Sequence, residues 1–254
     1  MDMGLRSQPV LVTGASTGIG RAIATELGRE GARVALTYKT KREEAEKTAA
    51  QVRRAGGEAL VLAFDLGEPG KAHEVVAAVA ERFGGLAALV NNAVRWPAAF
   101  APVEKLSLEE WHATVHANLD GSVFLTQAAI PHLRKSGQGR IVTISTGLAV
   151  DGNPGSGAYI AAKAAWHGLN RTLAKELGPD AILCNVLMSG AVASEVRVRT
   201  PEMLEQMAKS AVTGRLTLAD EVARAAVFLA SPANGHITGE SIRVDGFFVT
   251  PPRR

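Results

Sequence analysis

Tyr159 and Lys163, four residues apart, are the pair in this sequence best suited to moving a proton. They fall in 158–177, a stretch of strong helix formers, and on a helix that spacing puts both side chains on one face, one turn apart. A free tyrosine titrates at about 10, but an adjacent ammonium favours the phenolate and brings the phenol into general acid–base range. The spacing alone is common: a lone tyrosine and lysine on a helix are usually solvated. Its surroundings must decide.

A second group of residues is suited to holding an anion. Thr13-Gly14-Ala15-Ser16-Thr17-Gly18-Ile19-Gly20 follows an apolar run and opens a helix-forming stretch. Glycines there remove side chains where backbone must approach a pyrophosphate, and the N–H groups of a helix start favour negative charge. The spacing is Gly-x3-Gly-x-Gly rather than the widely shared Gly-x-Gly-x-x-Gly. A glycine-rich turn that merely closes a strand onto a helix is the plainer alternative, and the strand-before, helix-after setting favours the dinucleotide. An acid at the end of the next strand would bind the free 2′-hydroxyl of NAD. Here the chain reads Tyr38-Lys39-Thr40-Lys41-Arg42, cations and hydroxyls that suit the 2′-phosphate of NADP(H), although Glu43 and Glu44 dilute the charge.

Short apolar runs at 10–12, 34–37, 60–64, 86–90, 141–144 and 182–187 must position these groups, and amphipathic stretches such as 21–30, 42–54 and 71–82 separate them. That alternation predicts an α/β fold: a doubly wound, Rossmann-type parallel sheet of about seven strands, helices on both faces, with ligands beyond the strands' carboxyl ends. With no linker, repeat or low-complexity block, residues 1–254 read as one dinucleotide-binding and catalytic domain, with 194–215 as a mobile substrate lid.

The composition, 46% hydrophobic and 21% charged, is that of a globular protein. A net charge of +3 with interspersed signs argues against a nucleic-acid partner, and no apolar run approaches the roughly 18 residues of a membrane span. One cysteine, Cys184, and an N-terminus without an apolar centre point to the cytoplasm. His112 and His116 have a chelating spacing but no third ligand, so no metal site is expected. Trp96, Phe100 and Trp166 read as core, substrate or subunit contacts. Arg134, Lys135 and Lys105 could meet an acidic carrier protein, an idea that nearby Asp180 weakens.

Taken together, Thr13 to Gly20, Asn91-Asn92-Ala93, Asn118, Tyr159-x3-Lys163, Ile237-Thr238-Gly239-Glu240 and Val244-Asp245-Gly246 resemble the short-chain dehydrogenase/reductases across nearly the whole chain. The 3-oxoacyl-(acyl carrier protein) reductase branch is the most similar, on Gly139-Arg140-Ile141-Val142 and Leu173-Ala174-Lys175-Glu176-Leu177. The resemblance implies a catalytic set of Asn118, Thr146, Tyr159 and Lys163. In it a hydroxyl holds the substrate carbonyl, the tyrosine gives a proton, the lysine also binds the nicotinamide ribose, and the asparagine anchors a water. For the cofactor it implies Gly14, Ser16, Thr17, Gly18, Ile19 and Gly20, then Asp65 and Leu66 at the adenine, Asn92, Ala93, Val94, Tyr159 and Lys163, beside the Tyr38, Lys39 and Thr40 already read from the end of the second strand. Ser189, Gly190, Val192 and Ser194 complete the set, Ser194 where a threonine usually binds the carboxamide. A homotetramer paired through the helix at 161–177 is also implied.

The departures lie close to the expected site. Thr146, thirteen residues before Tyr159, stands where the family usually has serine, and Ser145 precedes it. Thr146 is favoured as the carbonyl partner, because adjacent strand residues face opposite sides. Val94 and Phe247 replace customary glycines and Ser189 a proline. The reading is NADPH-dependent reduction of a ketone, on a small molecule or an acyl carrier, of the β-ketoacyl thioester or polyketide kind. The rivals are an NAD(P)-dependent alcohol dehydrogenase acting on a sugar, steroid or small alcohol, and a dinucleotide-binding regulatory protein with weak turnover.

Overall fold

A computed structural model describes residues 2–98, 100–192 and 200–247. The strands are β1 (Pro9–Val12), β2 (Arg33–Tyr38), β3 (Glu58–Ala63), β4 (Ala88–Asn91), β5 (Arg140–Thr146), β6 (Leu183–Ser189) and β7 (Ser241–Val244). They form one seven-stranded sheet in the order β3-β2-β1-β4-β5-β6-β7, every pairing parallel. This is the expected α/β Rossmann-type architecture.

Between the strands run α1 (Gly18–Arg29), α2 (Arg42–Ala55), α3 (Ala72–Phe83), α4 (Leu108–Val115), α5 (Gly121–Lys135), the short α6 (Leu148–Asp151), α7 (Gly157–Leu177), α8 (Pro201–Lys209) and α9 (Ala219–Leu229). Strand side chains alternate between two cores. Val10, Val12, Val34 and Leu36 pack with Ile23, Leu27, Val52 and Val222 of α1, α2 and α9. Leu11, Ala35, Leu89 and Ile141 pack on the other face with Val79, Leu125 and Trp166 of α3, α5 and α7.

β1, β4 and β5 are buried along their whole lengths, as runs apolar on both faces require. The outer strands β3 and β7 are only half-buried, each having one neighbour. The apolar run at 60–64 misplaces β3, which spans Glu58–Ala63 because all six residues of β2 pair with it, from Arg33 with Glu58 to Tyr38 with Ala63. The order in which successive strands are added reverses between β1 and β4, which lie parallel, so a crevice opens at their carboxyl ends, where the glycine turn and Asn92 lie.

Two expected elements differ in detail. Asn118 lies not in a regular α-helix but in a π-helical turn, His116–Asp120, between α4 and α5. Of the segment 194–215, residues 194–199, and Ser194 with them, lie outside the described residues. The remainder holds α8, N-capped by Thr200, whose Oγ1 accepts from the Met203 amide at 3.3 Å. Among the described residues no helix is long and apolar enough to cross a membrane.

Candidate active site

The glycine turn is fixed by its contacts with the end of β4. Thr13 Oγ1 accepts from the Asn92 and Ala93 amides at 2.9 and 3.0 Å, and Asn92 Nδ2 donates to the carbonyls of Thr13 and Gly14 at 2.8 and 3.1 Å. Gly14 has φ +62°, and a Cβ there would stand 2.7 Å from the Ala93 Cα, so both conformation and space require glycine. Gly20 is excluded from bearing a side chain by Asn92 Nδ2 at 2.5 Å. Thr17, at the N-cap of α1, makes no side-chain cap bond, and no acid occupies the first turn. An unopposed helix start of this kind suits a phosphate. Ser16 turns its carbonyl away to Arg21, whose guanidinium donates to it at 2.6 Å and pairs with Glu44.

At the end of β2, Lys39, Thr40, Lys41 and Arg42 are exposed and Tyr38 half-buried. Lys39 forms an ion pair with Asp65 at 2.7 Å, which ties together the two segments expected at opposite sides of an adenosine. Burial works to raise the Asp65 carboxyl, but the Lys39 ammonium and the Gly67 amide outweigh it and hold it below its ordinary value. Leu66 is buried, and its carbonyl abuts Gly121 so closely that a side chain at Gly121 would collide with it. No sequence motif pointed to Gly121.

Tyr159 and Lys163 sit one turn apart near the start of α7, 6% and 4% exposed. Lys163 Nζ donates to the Ile144 carbonyl at 2.9 Å, a neutral partner, and burial brings its pKa down to about 8. The Trp96 indole lies on the Tyr159 ring, centroids 4.8 Å apart and planes at 32°.

The two hydroxyls at the end of β5 go to different places. Ser145 Oγ donates to the Lys163 carbonyl at 3.3 Å and lies 3.2 Å from His167 Nε2, so it is engaged with the body of α7. Thr146 Oγ1 accepts from the Leu148 amide at 3.3 Å, within its own turn.

Asn118 is buried, and its Nδ2 donates to the carbonyls of Arg95 and Thr114 at 2.8 and 2.9 Å while Oδ1 accepts from the Arg95 amide at 3.0 Å. Both amide donors are thereby used, and the side chain clamps the loop after β4 to the π turn. Trp166 reaches the Asn118 carbonyl with its indole N–H at 3.5 Å; at 1% exposure it belongs to the core, which sets aside the subunit contact considered for it.

Ser189 ends β6 and donates to the Ser145 carbonyl at 3.3 Å. Gly190 is packed against Asp245, and Val192 bridges to Thr217. The departures differ in kind. Phe247 takes φ +55°, a conformation glycine adopts without strain, whereas Val94 is not among the positive-φ residues and needs no glycine. Arg134 pairs with Asp180 at 2.7 Å, so that surface is partly neutralised, as the sequence suggested.

A network that sequence reasoning missed lies behind Thr146. Arg243 binds Asp151 of α6 at 2.6 and 3.1 Å and the buried Asp245 at 2.6 Å, and a Cβ on Gly147 would stand 2.6 Å from the Asp245 carboxylate. The two acids raise the Arg243 pKa. Opposite charges 92 residues apart carry no spacing signal.

Residues 14–247 match a family described as enoyl-(acyl carrier protein) reductase. The chain is 35% identical to the short-chain reductase protein NovJ of Streptomyces niveus over 248 residues, 93% of this chain and 92% of that one. It is 31% identical to the 3-oxoacyl-[acyl-carrier-protein] reductase FabG of Staphylococcus aureus over 94% of this chain and 97% of that one. It is also 35% identical to an L-rhamnose 1-dehydrogenase (NAD(P)(+)) of Azotobacter vinelandii, over 95% and 96%. Among solved structures, a short chain dehydrogenase from Burkholderia cenocepacia in complex with NADP superposes with a TM-score of 0.89 at 33% identity, covering 96% of this chain and 98% of that one. With the strand order, glycine turn and Tyr159–Lys163 pair, these matches make the chain a member of the short-chain dehydrogenase/reductase family, oxidoreductases that bind a nicotinamide dinucleotide.

Proposed function

We propose that the protein reduces a ketone to a secondary alcohol with NADPH. The observation that carries the reading is Lys163: a buried ammonium with a neutral partner, one helical turn from a buried tyrosine. A cation so placed favours the phenolate and equips Tyr159 to give a proton to a carbonyl oxygen. When bound, the reduced nicotinamide supplies the hydride to the carbonyl carbon. Thr146 orients the carbonyl, a role supported by the engagement of Ser145 with α7. Lys163 also holds the ribose, and Asn118 keeps the loop after β4 against the site.

The chain's own residues fit a dinucleotide. The first turn of α1 would hold the pyrophosphate, and Asp65 and Leu66 would flank the adenine. The exposed Lys39, with Thr40 and Tyr38, would meet the 2′-phosphate, Lys39 exchanging its Asp65 pair for it. Asn92, Ala93, Val94, Ser189, Gly190, Val192 and Ser194 complete the binding set in this reading. One domain carries both functions, with 194–215 as its lid, and the assembly is a homotetramer working in the cytoplasm. FabG, as a relative, supports an acyl-carrier-bound substrate. The L-rhamnose dehydrogenase supports a second reading, oxidation of a sugar or small alcohol.

The test is NADPH oxidation across β-ketoacyl thioesters, quinones and cyclic ketones, with NAD+-linked oxidation of sugars in parallel. Ketone reduction abolished by Tyr159→Phe, with NADPH binding retained, supports the proposal. Sugar oxidation with tighter binding of NAD than NADP would overturn it.

A further inference from the structure

One charged side chain in each of the loops after β4 and β5 is taken up by an ion pair. Arg95 directs its guanidinium to Glu110 at 2.8 and 3.0 Å and to Thr114 Oγ1 at 2.7 Å, and the arginine holds the Glu110 carboxyl down to about 2. Asp151, at the end of α6, is taken by Arg243. The large apolar side chains these loops leave exposed are Val94 at 37%, Trp96 at 36%, Phe100 at 48% and Val150 at 64%, while the exposed Glu104 and Lys105 lie farther along the first loop.

The first of these loops crosses the start of α7. A Cβ on Gly155 would meet the Phe100 Cβ at 3.4 Å, and one on Gly157 would meet Val103 Cγ2 at 3.1 Å. Trp96 lies on the ring of Tyr159 itself, so a ketone reaching that phenol comes in beside an indole that is still 36% exposed. An indole face rewards a flat apolar substituent, whereas a polyol brought there would give up water bonds without replacement.

On the ketoreductase reading above, we infer that Trp96 selects the substrate. Its indole packs against a flat, uncharged group next to the carbonyl, so the enzyme takes aryl ketones in preference to short aliphatic or polyhydroxylated ones. Trp96 contributes this contact from the loop after β4, and Phe100, against Gly155 just before α7, extends the apolar approach.

The test compares ethyl benzoylacetate with ethyl acetoacetate, which differ only in phenyl against methyl beside the ketone. The aryl substrate should have the higher kcat/KM by about 10- to 30-fold, the gain expected from burying and stacking a phenyl group. Trp96→Ala should bring that ratio toward one, and Trp96→Phe should keep most of it. If Trp96 merely supported Tyr159, both substrates would suffer alike and the ratio would stand, which would overturn the inference, as would a wild-type ratio at or below one. Calorimetric affinities of the two ketones for the protein–NADP+ complex give the same ratio without turnover. A protein that consumes NADPH with neither ketone would therefore count against the ketoreductase reading, while the affinity ratio would still decide the role of Trp96.

Discussion

Replacing Lys163 by methionine should abolish activity and at the same time stabilise the cofactor-free protein at neutral pH. The lysine is 4% exposed, its partner is the Ile144 carbonyl, and burial alone brings its pKa from 10.5 to about 8. At about 1.4 kcal/mol for each pH unit of displacement, the charged form costs about 3 kcal/mol on folding. Methionine removes that cost but forfeits a hydrogen bond of about 1 kcal/mol, leaving a net gain of about 2 kcal/mol. For a chain of this size that raises Tm by about 5 °C.

The pH dependence identifies the cause. Below pH 8 the lysine is protonated in both folded and unfolded chains, and the full penalty is present. Between pH 8 and about 10.5 the folded protein gives up the proton while the unfolded chain keeps it, so wild-type stability rises with pH relative to the variant. The variant's advantage should thus shrink from its full value at pH 7 and vanish near pH 10. Paired urea titrations of the two proteins at pH 7, 8.5 and 10 cancel every other titrating group. A variant less stable at pH 7, or a difference independent of pH, would refute the reasoning.

The hydroxyls at the end of β5 should separate by function. Thr146→Ala should lower kcat about 100-fold, the usual loss for one donor at a reacting oxygen, with Thr146→Ser restoring it, whereas Ser145→Ala should cost about 1 kcal/mol of stability and little turnover. Steady-state kinetics with urea titration check both, and the opposite pattern would make Ser145 the carbonyl partner. At the cofactor end, Gly14→Ala forces a Cβ to 2.7 Å from the Ala93 Cα at φ +62°. It should cost at least about 1–2 kcal/mol and weaken NADPH binding, measured by thermal shift and fluorescence titration; unchanged values would show that the turn yields.

The parallel sheet was legible because central strands buried on both faces read as near-continuous apolar runs, as in β1 and in residues 88–90 of β4. The outer strands were harder: β3 begins at Glu58, a residue no apolar run includes, because pairing with β2 rather than hydrophobicity sets its bounds. The glycine turn and the Tyr159–Lys163 pair were readable because both depend on local spacing. The engagement of Ser145 with His167, the Lys39–Asp65 pair and the clamp of Asp151 by Arg243 join residues far apart in sequence, each side chain having many other possible partners. Asn118 was expected at the site from the sequence, but the uptake of its side chain by the Arg95 backbone depends on the π turn, which no local spacing announces.

That π turn also resists repair. It holds one residue more than a regular helix would need, and α4 and α5 on either side are each pinned. Thr114 in α4 donates to Glu110 and accepts from Arg95, while Gly121 at the start of α5 faces the Leu66 carbonyl. Deleting a residue from 116–120 would restore an even helix only by rotating one flank about 100° against the other, which either pulls Thr114 from Arg95 or drives a side chain into Leu66. The irregularity thus behaves like a phase offset locked at both ends, and gaps in chains descended from this one should fall outside 114–121.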